Sequence, residues 1–125
     1  LEISHMDLCS LYEDCAFLEA WPGVPVGNEE GEIIAGALGD KRAILLSHHG
    51  QLSTGRSIEE ACVIAQLIER AAKLQLLAMA AGTLKPILPA LGREAHDWIS
   101  KPKRHGAAFN YYARQILRQH ADCLN

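Results

Sequence analysis

The sequence predicts an α/β domain, and three observations within residues 43–82 predict it. Ala43-Ile44-Leu45-Leu46 is an apolar run too short for a typical helix, so it reads as a buried strand that delivers Ser47-His48-His49-Gly50 to its end. Gly50 permits a tight reversal into a second short strand, Gln51-Leu52-Ser53-Thr54, which Gly55 closes. Beyond Gly55 the period changes, because Ser57 and Glu60 form the S-x-x-E pattern in which side chains and backbone amides satisfy each other at a helix start.

The helix that follows runs from Ser57 to Ala81. Glu59, Cys62, Gln66, Glu69, Arg70 and Lys73 share one face, and Ile64, Leu67, Ile68, Ala72, Leu76 and Met79 help to cover the rest, so the helix is expected to be buried on more than one side. At about 1.5 Å per residue it spans roughly 36 Å, enough to cross a small sheet. Gly82 is its expected left-handed stop.

The flanking elements follow in order. Residues 1–15 show no clean period, and only a short helix or turn around Asp7 to Cys15 is expected. From Ala16 to Val26 the chain is extended, since Pro22 and Pro25 forbid a helix and place the segment at a sheet edge or in a covering loop, with Trp21 at a turn. Asn28 caps a helix whose first turn holds Glu29 and Glu30, whose apolar stripe is Ile33, Ile34, Ala37 and Leu38, and which Gly39-Asp40 ends.

After Gly82 the two prolines of Thr83 to Pro89 demand an extended connection. Leu91 to Ser100 is a short helix anchored by Trp98 and stopped at Pro102, and Lys101 to His105 reads as a solvated basic loop. Gly106 to Leu124 is a last helix that packs back on the sheet through Phe109, Tyr112, Ile116 and Leu117.

With 125 residues the chain is of single-domain size. A net charge of −3 and a pI near 6.1 give no general attraction to nucleic acid or anionic membrane. No run approaches the ~20 apolar residues of a membrane span, and no secretory leader is recognisable, so a soluble cytoplasmic protein is expected. Cys9, Cys15, Cys62 and Cys123 form no C-x-x-C pair and read as free thiols. There is no phosphate-binding glycine loop and no G-x-S-x-G, so nucleotide hydrolysis and serine acyl transfer are unsupported.

His49 is the candidate metal ligand. A histidine at a strand end, followed by a glycine that turns the backbone away, projects its ring clear of the sheet. Taken alone, such a histidine is more often structural. Strand alternation puts His48 on the opposite face, with a role as partner to a ligand or as an alternative ligand still open. His5, His96, His105 and His120 have no spacing that suggests a shared metal and read as surface or packing residues. Tyr111 and Tyr112 read as aromatic packing.

Residues 42–78 resemble a segment of the class II aldolase/adducin domain family. The resemblance rests on His49-Gly50, on Gly55-Arg56-Ser57-Ile58-Glu59-Glu60-Ala61 in the form G-x-[ST]-x-E-E-A, and on Gln75-Leu76. It extends more weakly through GEIIAGALGD and FNYYARQILRQ. It implies a three-layer α/β/α fold with a mostly antiparallel sheet, and residues 1–125 as the C-terminal part of one such domain.

The resemblance also implies chemistry of the fuculose-phosphate aldolase type. A zinc or other divalent ion would stabilise the enediolate formed when a small, sugar-phosphate-like hydroxy-carbonyl substrate loses a carbon–carbon bond. In that family the histidine of His-Gly is the third zinc ligand, and a His-x-His pair and a basic glutamate precede it. No His-x-His occurs here, so this chain alone is expected to bind zinc weakly and to be inactive. Where family members have Asn before His-Gly, this chain has His48. A homotetramer with active sites at subunit interfaces is implied too, and a non-catalytic scaffold module of the adducin kind is the alternative.

Overall fold

A computed structural model describes residues 1–20, 23–24 and 27–124. The turn expected at Trp21-Pro22, together with Pro25 and Val26, lies outside the described residues. A 3₁₀ helix, Met6–Leu11, leads into strand β1 (Cys15–Leu18), helix α1 (Glu29–Leu38), strands β2 (Ala43–Leu46) and β3 (Gly50–Ser53), and helices α2 (Ile58–Ala81), α3 (Pro89–Ile99) and α4 (Pro102–Gln119). A second 3₁₀ turn, Ala121–Leu124, follows.

The three strands form one sheet in the order β1-β2-β3. It is mixed rather than mostly antiparallel: β1 runs parallel to β2, with Cys15 opposite Ala43, and only β2 and β3 are antiparallel, with Leu46 opposite Gly50. A parallel pair cannot be joined by a tight turn, and α1 supplies the crossover between β1 and β2.

The apolar run of β2 is buried because it feeds two cores on opposite faces of the sheet. Ala43, with Leu45 packed beside it, joins Ile64, Ile68 and Ala71 of α2, Leu8 and Leu11 of the first 3₁₀ helix, and Ala95 of α3. Ile44 and Leu46, one residue out of phase, join Ala16 and pack on Ile34, Ala37 and Leu38 of α1. Helices therefore cover both faces, and the α/β/α layering holds.

Ser57 caps α2 as its pattern requires, its side chain accepting the Glu60 N–H at 3.2 Å. The helix outruns the four-residue strands beneath it, however. Its buried residues end at Ala71, and Leu76, Leu77 and Met79 are exposed. Gly82 ends the helix with its N–H on the Ala78 carbonyl, but its φ of 160° is extended rather than left-handed.

The C-terminal helices differ from expectation in three ways. Pro89 and Pro102 are the first residues of α3 and α4, not parts of loops; proline's fixed φ and missing N–H suit that position. The presumed basic loop is thus the first turn of α4. Trp98 is 57% exposed and stacks with Lys101 Nζ, 4.2 Å from the ring centroid, and the Arg104 guanidinium at 4.8 Å, instead of anchoring α3 in a core. Finally, α4 packs on α2 rather than returning to the sheet, and it leaves Ile116 and Leu117 partly exposed. Among the described residues no helix is long and apolar enough to cross a membrane.

Candidate functional site

Two polar constellations sit near opposite ends of β2. At its C-terminal end, Ser47, His48 and His49 form a three-residue turn between Leu46 and Gly50. The turn is tied down by its backbone: Ser47 N–H donates to Leu18 O of β1 at 3.0 Å, and His49 N–H donates to Leu46 O at 3.1 Å. His49 is exposed at the tip, as its position before Gly50 predicted.

His48 departs from prediction. It lies in the turn, not the strand, so strand alternation does not govern its direction, and its φ of 57° makes it the left-handed residue of the reversal. That conformation favours asparagine among side-chain-bearing residues and tolerates histidine, which accounts for the residue type as backbone chemistry. Behind the turn, Gln51 Nε2 donates to Glu69 Oε1 of α2 at 3.1 Å, while Gln51 Oε1 is buried without a partner among the described residues.

Near the other end of β2 lies a buried polar cluster. Arg42 donates through Nε to Asp14 Oδ2, through Nη1 to Glu60 Oε1 at 3.1 Å, and through Nη2 to Ser10 O at 3.1 Å and Ser100 Oγ at 3.0 Å. His96 Nε2 lies 3.2 Å from the same Nη2 and 3.5 Å from Asp14 Oδ2, and its Nδ1 lies 3.1 Å from Asp97 Oδ1. Glu60 also accepts from Arg56, through the backbone N–H at 2.8 Å and the guanidinium at 3.0 Å. Those bonds, opposed by burial and helped by His105, hold the Glu60 carboxyl down at about 2. Gly55 makes room for this carboxylate, since a Cβ there would lie 2.9 Å from Glu60 Cβ.

His105 completes the cluster: Nδ1 is 3.2 Å from Glu60 Oε1 and Nε2 is 3.3 Å from Ser10 Oγ. Serine, imidazole and carboxylate in this order have the connectivity of a hydrolytic relay. Ser10 is fully buried, however, and cannot meet a substrate. The cluster is a structural joint between the first 3₁₀ helix, β2, α2, α3 and α4.

Among the described residues no group of three or more His, Cys, Asp or Glu side chains could hold a metal ion. Of the histidines read as surface or packing residues, His5 caps the first 3₁₀ helix by accepting the Asp7 N–H, and His120 ends α4. His96 and His105 instead belong to the buried cluster. Tyr111 and Tyr112 pack edge to face, their centroids 5.7 Å apart, and Tyr112 lines an apolar groove of about 580 Å³ between α2 and α4. All four cysteines are free.

The family model described as Class II Aldolase and Adducin N-terminal domain matches residues 3–76. The match takes in the His49 turn and also the first strand and helix. Among curated proteins, the chain is 32% identical over 111 residues to Decarboxylase NovR of Streptomyces niveus, covering 82% of this chain and 41% of that protein. It is 32% identical over 87 residues to 4-hydroxy-3-prenylphenylpyruvate oxygenase/4-hydroxy-3-prenylbenzoate synthase of Streptomyces roseochromogenus subsp. oscitans, covering 70% of this chain and 31% of that protein. Among solved structures, L-fuculose 1-phosphate aldolase from Glaciozyma antarctica PI12 superposes with a TM-score of 0.83 at 30% identity, covering 98% of this chain and 45% of that one. The chain spans less than half the length of each.

Proposed function

Since the chain belongs to the class II aldolase and adducin N-terminal domain family, we propose that the protein is a metal-dependent lyase that breaks a carbon–carbon bond in a small hydroxy-carbonyl substrate, with His49 as a ligand of a divalent ion, zinc foremost. The observation that carries this reading is the exposed His49 at the tip of a turn fixed to β1 and β2, inside the region that the family model matches. Relatives named for aldol cleavage and for decarboxylation support it, since both reactions leave an electron pair on carbon that a neighbouring carbonyl can accept.

The described residues do not by themselves fit a catalytic metal, which takes three protein ligands. On this reading His49 is one ligand, the others lie beyond the described residues, and residues 1–125 are the C-terminal part of one such domain. The exposed apolar end of α2 supports assembly into a homo-oligomer, a tetramer on the family's pattern. The four free thiols support a reducing, cytoplasmic setting. A single candidate ligand is also what a non-catalytic binding module of the adducin kind would show.

Zinc stoichiometry separates the two readings. By atomic absorption and calorimetric titration, the 125-residue chain should bind zinc weakly. The protein carrying the remaining ligands should hold about one ion per subunit and lose it on His49→Ala. Full zinc content in the His49→Ala protein would remove His49 from the site, and no zinc in the wild-type protein would favour the scaffold.

A further inference from the structure

Of the eighteen residues of α4, only His105 is buried. It is held by hydrogen bonds in a closed ring. With His105 neutral, the direction of every bond in that ring is set, because Arg42 can only donate and the Glu60 carboxylate can only accept. His105 Nδ1–H must donate to Glu60 Oε1 at 3.2 Å, which leaves Nε2 of a neutral ring as an acceptor. Ser10 O–H therefore donates to Nε2 at 3.3 Å, Ser100 O–H donates to Ser10 Oγ at 3.3 Å, and Arg42 Nη2 donates to Ser100 Oγ at 3.0 Å. Arg42 Nη1 closes the circuit on Glu60 Oε1 at 3.1 Å.

A proton added at Nε2 breaks this order. Ser10 would have to turn its hydroxyl proton to Ser100, whose own proton then loses its acceptor in the ring. Charge opposes the change as well. Facing or adjoining His105 are Glu60 of α2, Arg56 just before α2 and Arg42 just before β2, with Asp14 on Arg42; two carboxylates already balance two guanidinium groups, and an imidazolium would be a third cation. His96 of α3 touches Arg42 rather than His105. Burial, the largest influence, holds the His105 pKa below its ordinary value against the pull of Glu60. A cavity of about 350 Å³ lined by Arg56, Ser57, Glu59, Pro102, His105 and Asn110 lies beside the ring and gives protons a way in.

We propose that His105 is a proton-operated latch: neutral, it holds α4 on α2 through this ring; protonated, it releases Pro102–Gln119 and opens the groove that α4 forms with Cys62 and Gln66. The rest of the fold does not hang on the latch, since both cores of the sheet lie outside α4.

Hydrogen exchange by mass spectrometry, corrected for intrinsic rates, tests this on the full chain between pH 7.5 and 5. Opening of α4 should rise by roughly tenfold per pH unit where the released ring binds a proton and the docked ring does not, while β2 keeps its protection. His105→Gln, whose amide can donate to Glu60 and accept from Ser10, should keep α4 docked without the pH dependence, and His96→Gln should retain it. Flat α4 protection in the wild type, a transition that survives in His105→Gln, or one that vanishes in His96→Gln would each overturn the proposal. Should His105→Gln not fold, ring ¹⁵N shifts of the wild type decide. A neutral Nδ1–H ring at pH 7 that titrates together with α4 opening supports the latch, and a charged ring at pH 7 refutes it.

Discussion

Arg42 and Glu60, eighteen residues apart in sequence, meet through a 3.1 Å bond between Nη1 and Oε1 with both side chains largely buried. The same guanidinium holds Asp14, so one cation serves two shielded carboxylates, whose side chains are 13% and 5% exposed. Removing it takes the guanidinium from both, although Glu60 keeps Arg56 and Asp14 keeps the backbone N–H of residue 42. Breaking a buried pair from one side costs about 3–5 kcal/mol, and Arg42→Met should lose that much in urea denaturation. A loss below about 1 kcal/mol, typical of surface pairs, would show that water reaches the cluster freely.

Acid should weaken the fold in two stages. The folded Glu60 carboxyl is held at about 2 against an ordinary 4.5, so the stability it contributes is complete above 4.5 and is lost as pH falls from there towards 2. His105 is depressed from an ordinary 6.5, so the unfolded chain takes up its proton first and stability begins to fall below 6.5. Urea midpoints measured at pH 8, 5.5 and 3 should decline at each step, and Glu60→Gln should flatten the second. A midpoint that rises on acidification would contradict both assignments.

Local signals were legible and distant pairings were not. Four apolar residues in a row gave β2, and the Ser57 to Glu60 spacing gave the start of α2 to the residue, because each is written within one turn or strand. Glu60 was visible as a capping partner and a motif residue; its bonds to Arg42 and His105 join residues 18 and 45 positions away, and no periodicity records such distances. His105 looked like part of a basic loop because Lys103 and Arg104 precede it, yet Pro102 begins a helix there and turns the ring inward. The parallel pairing of β1 escaped for a related reason: a four-residue strand reads the same in either direction, and only the crossover through α1 sets its sense. The turn that carries His49 was legible, whereas its left-handed residue, His48, was not, since a reversal beside a glycine is assigned to the glycine by default.

The burial of α2 makes a graded prediction along one helix. Ile68 is 1% exposed among Leu8, Ala43 and Ala71, whereas Leu76, two turns on, is 69% exposed. Ile68→Ala should cost about 2–5 kcal/mol by lost transfer energy and the cavity left behind, and Leu76→Ala should cost less than about 0.5 kcal/mol. Leu67, half-buried at the edge of the same core, should fall between them. A large effect at Leu76 in the 125-residue chain would mean that a second copy covers that end of α2, and the loss would then depend on protein concentration.

The same substitution should act with opposite sign at two helical glycines. In α3, a Cβ at Gly92 would lie 2.5 Å from Cδ2 and Cε2 of Tyr12, in the body of a half-buried ring that cannot swing away like the tip of a lysine. Gly36 of α1 has nothing within 4 Å of the corresponding point. Alanine at Gly36 should stabilise the chain by about 0.5–1 kcal/mol through the glycine entropy it removes. Alanine at Gly92 gains the same propensity but overpacks the contact between α3 and the chain after the first 3₁₀ helix, so a net loss of about 1–3 kcal/mol is expected. Tyr12→Leu should relieve much of that loss, and a double-mutant cycle by thermal or urea denaturation measures the coupling. Independent, additive effects at Gly92 and Tyr12 would show that α3 is not seated on the ring as the structure places it.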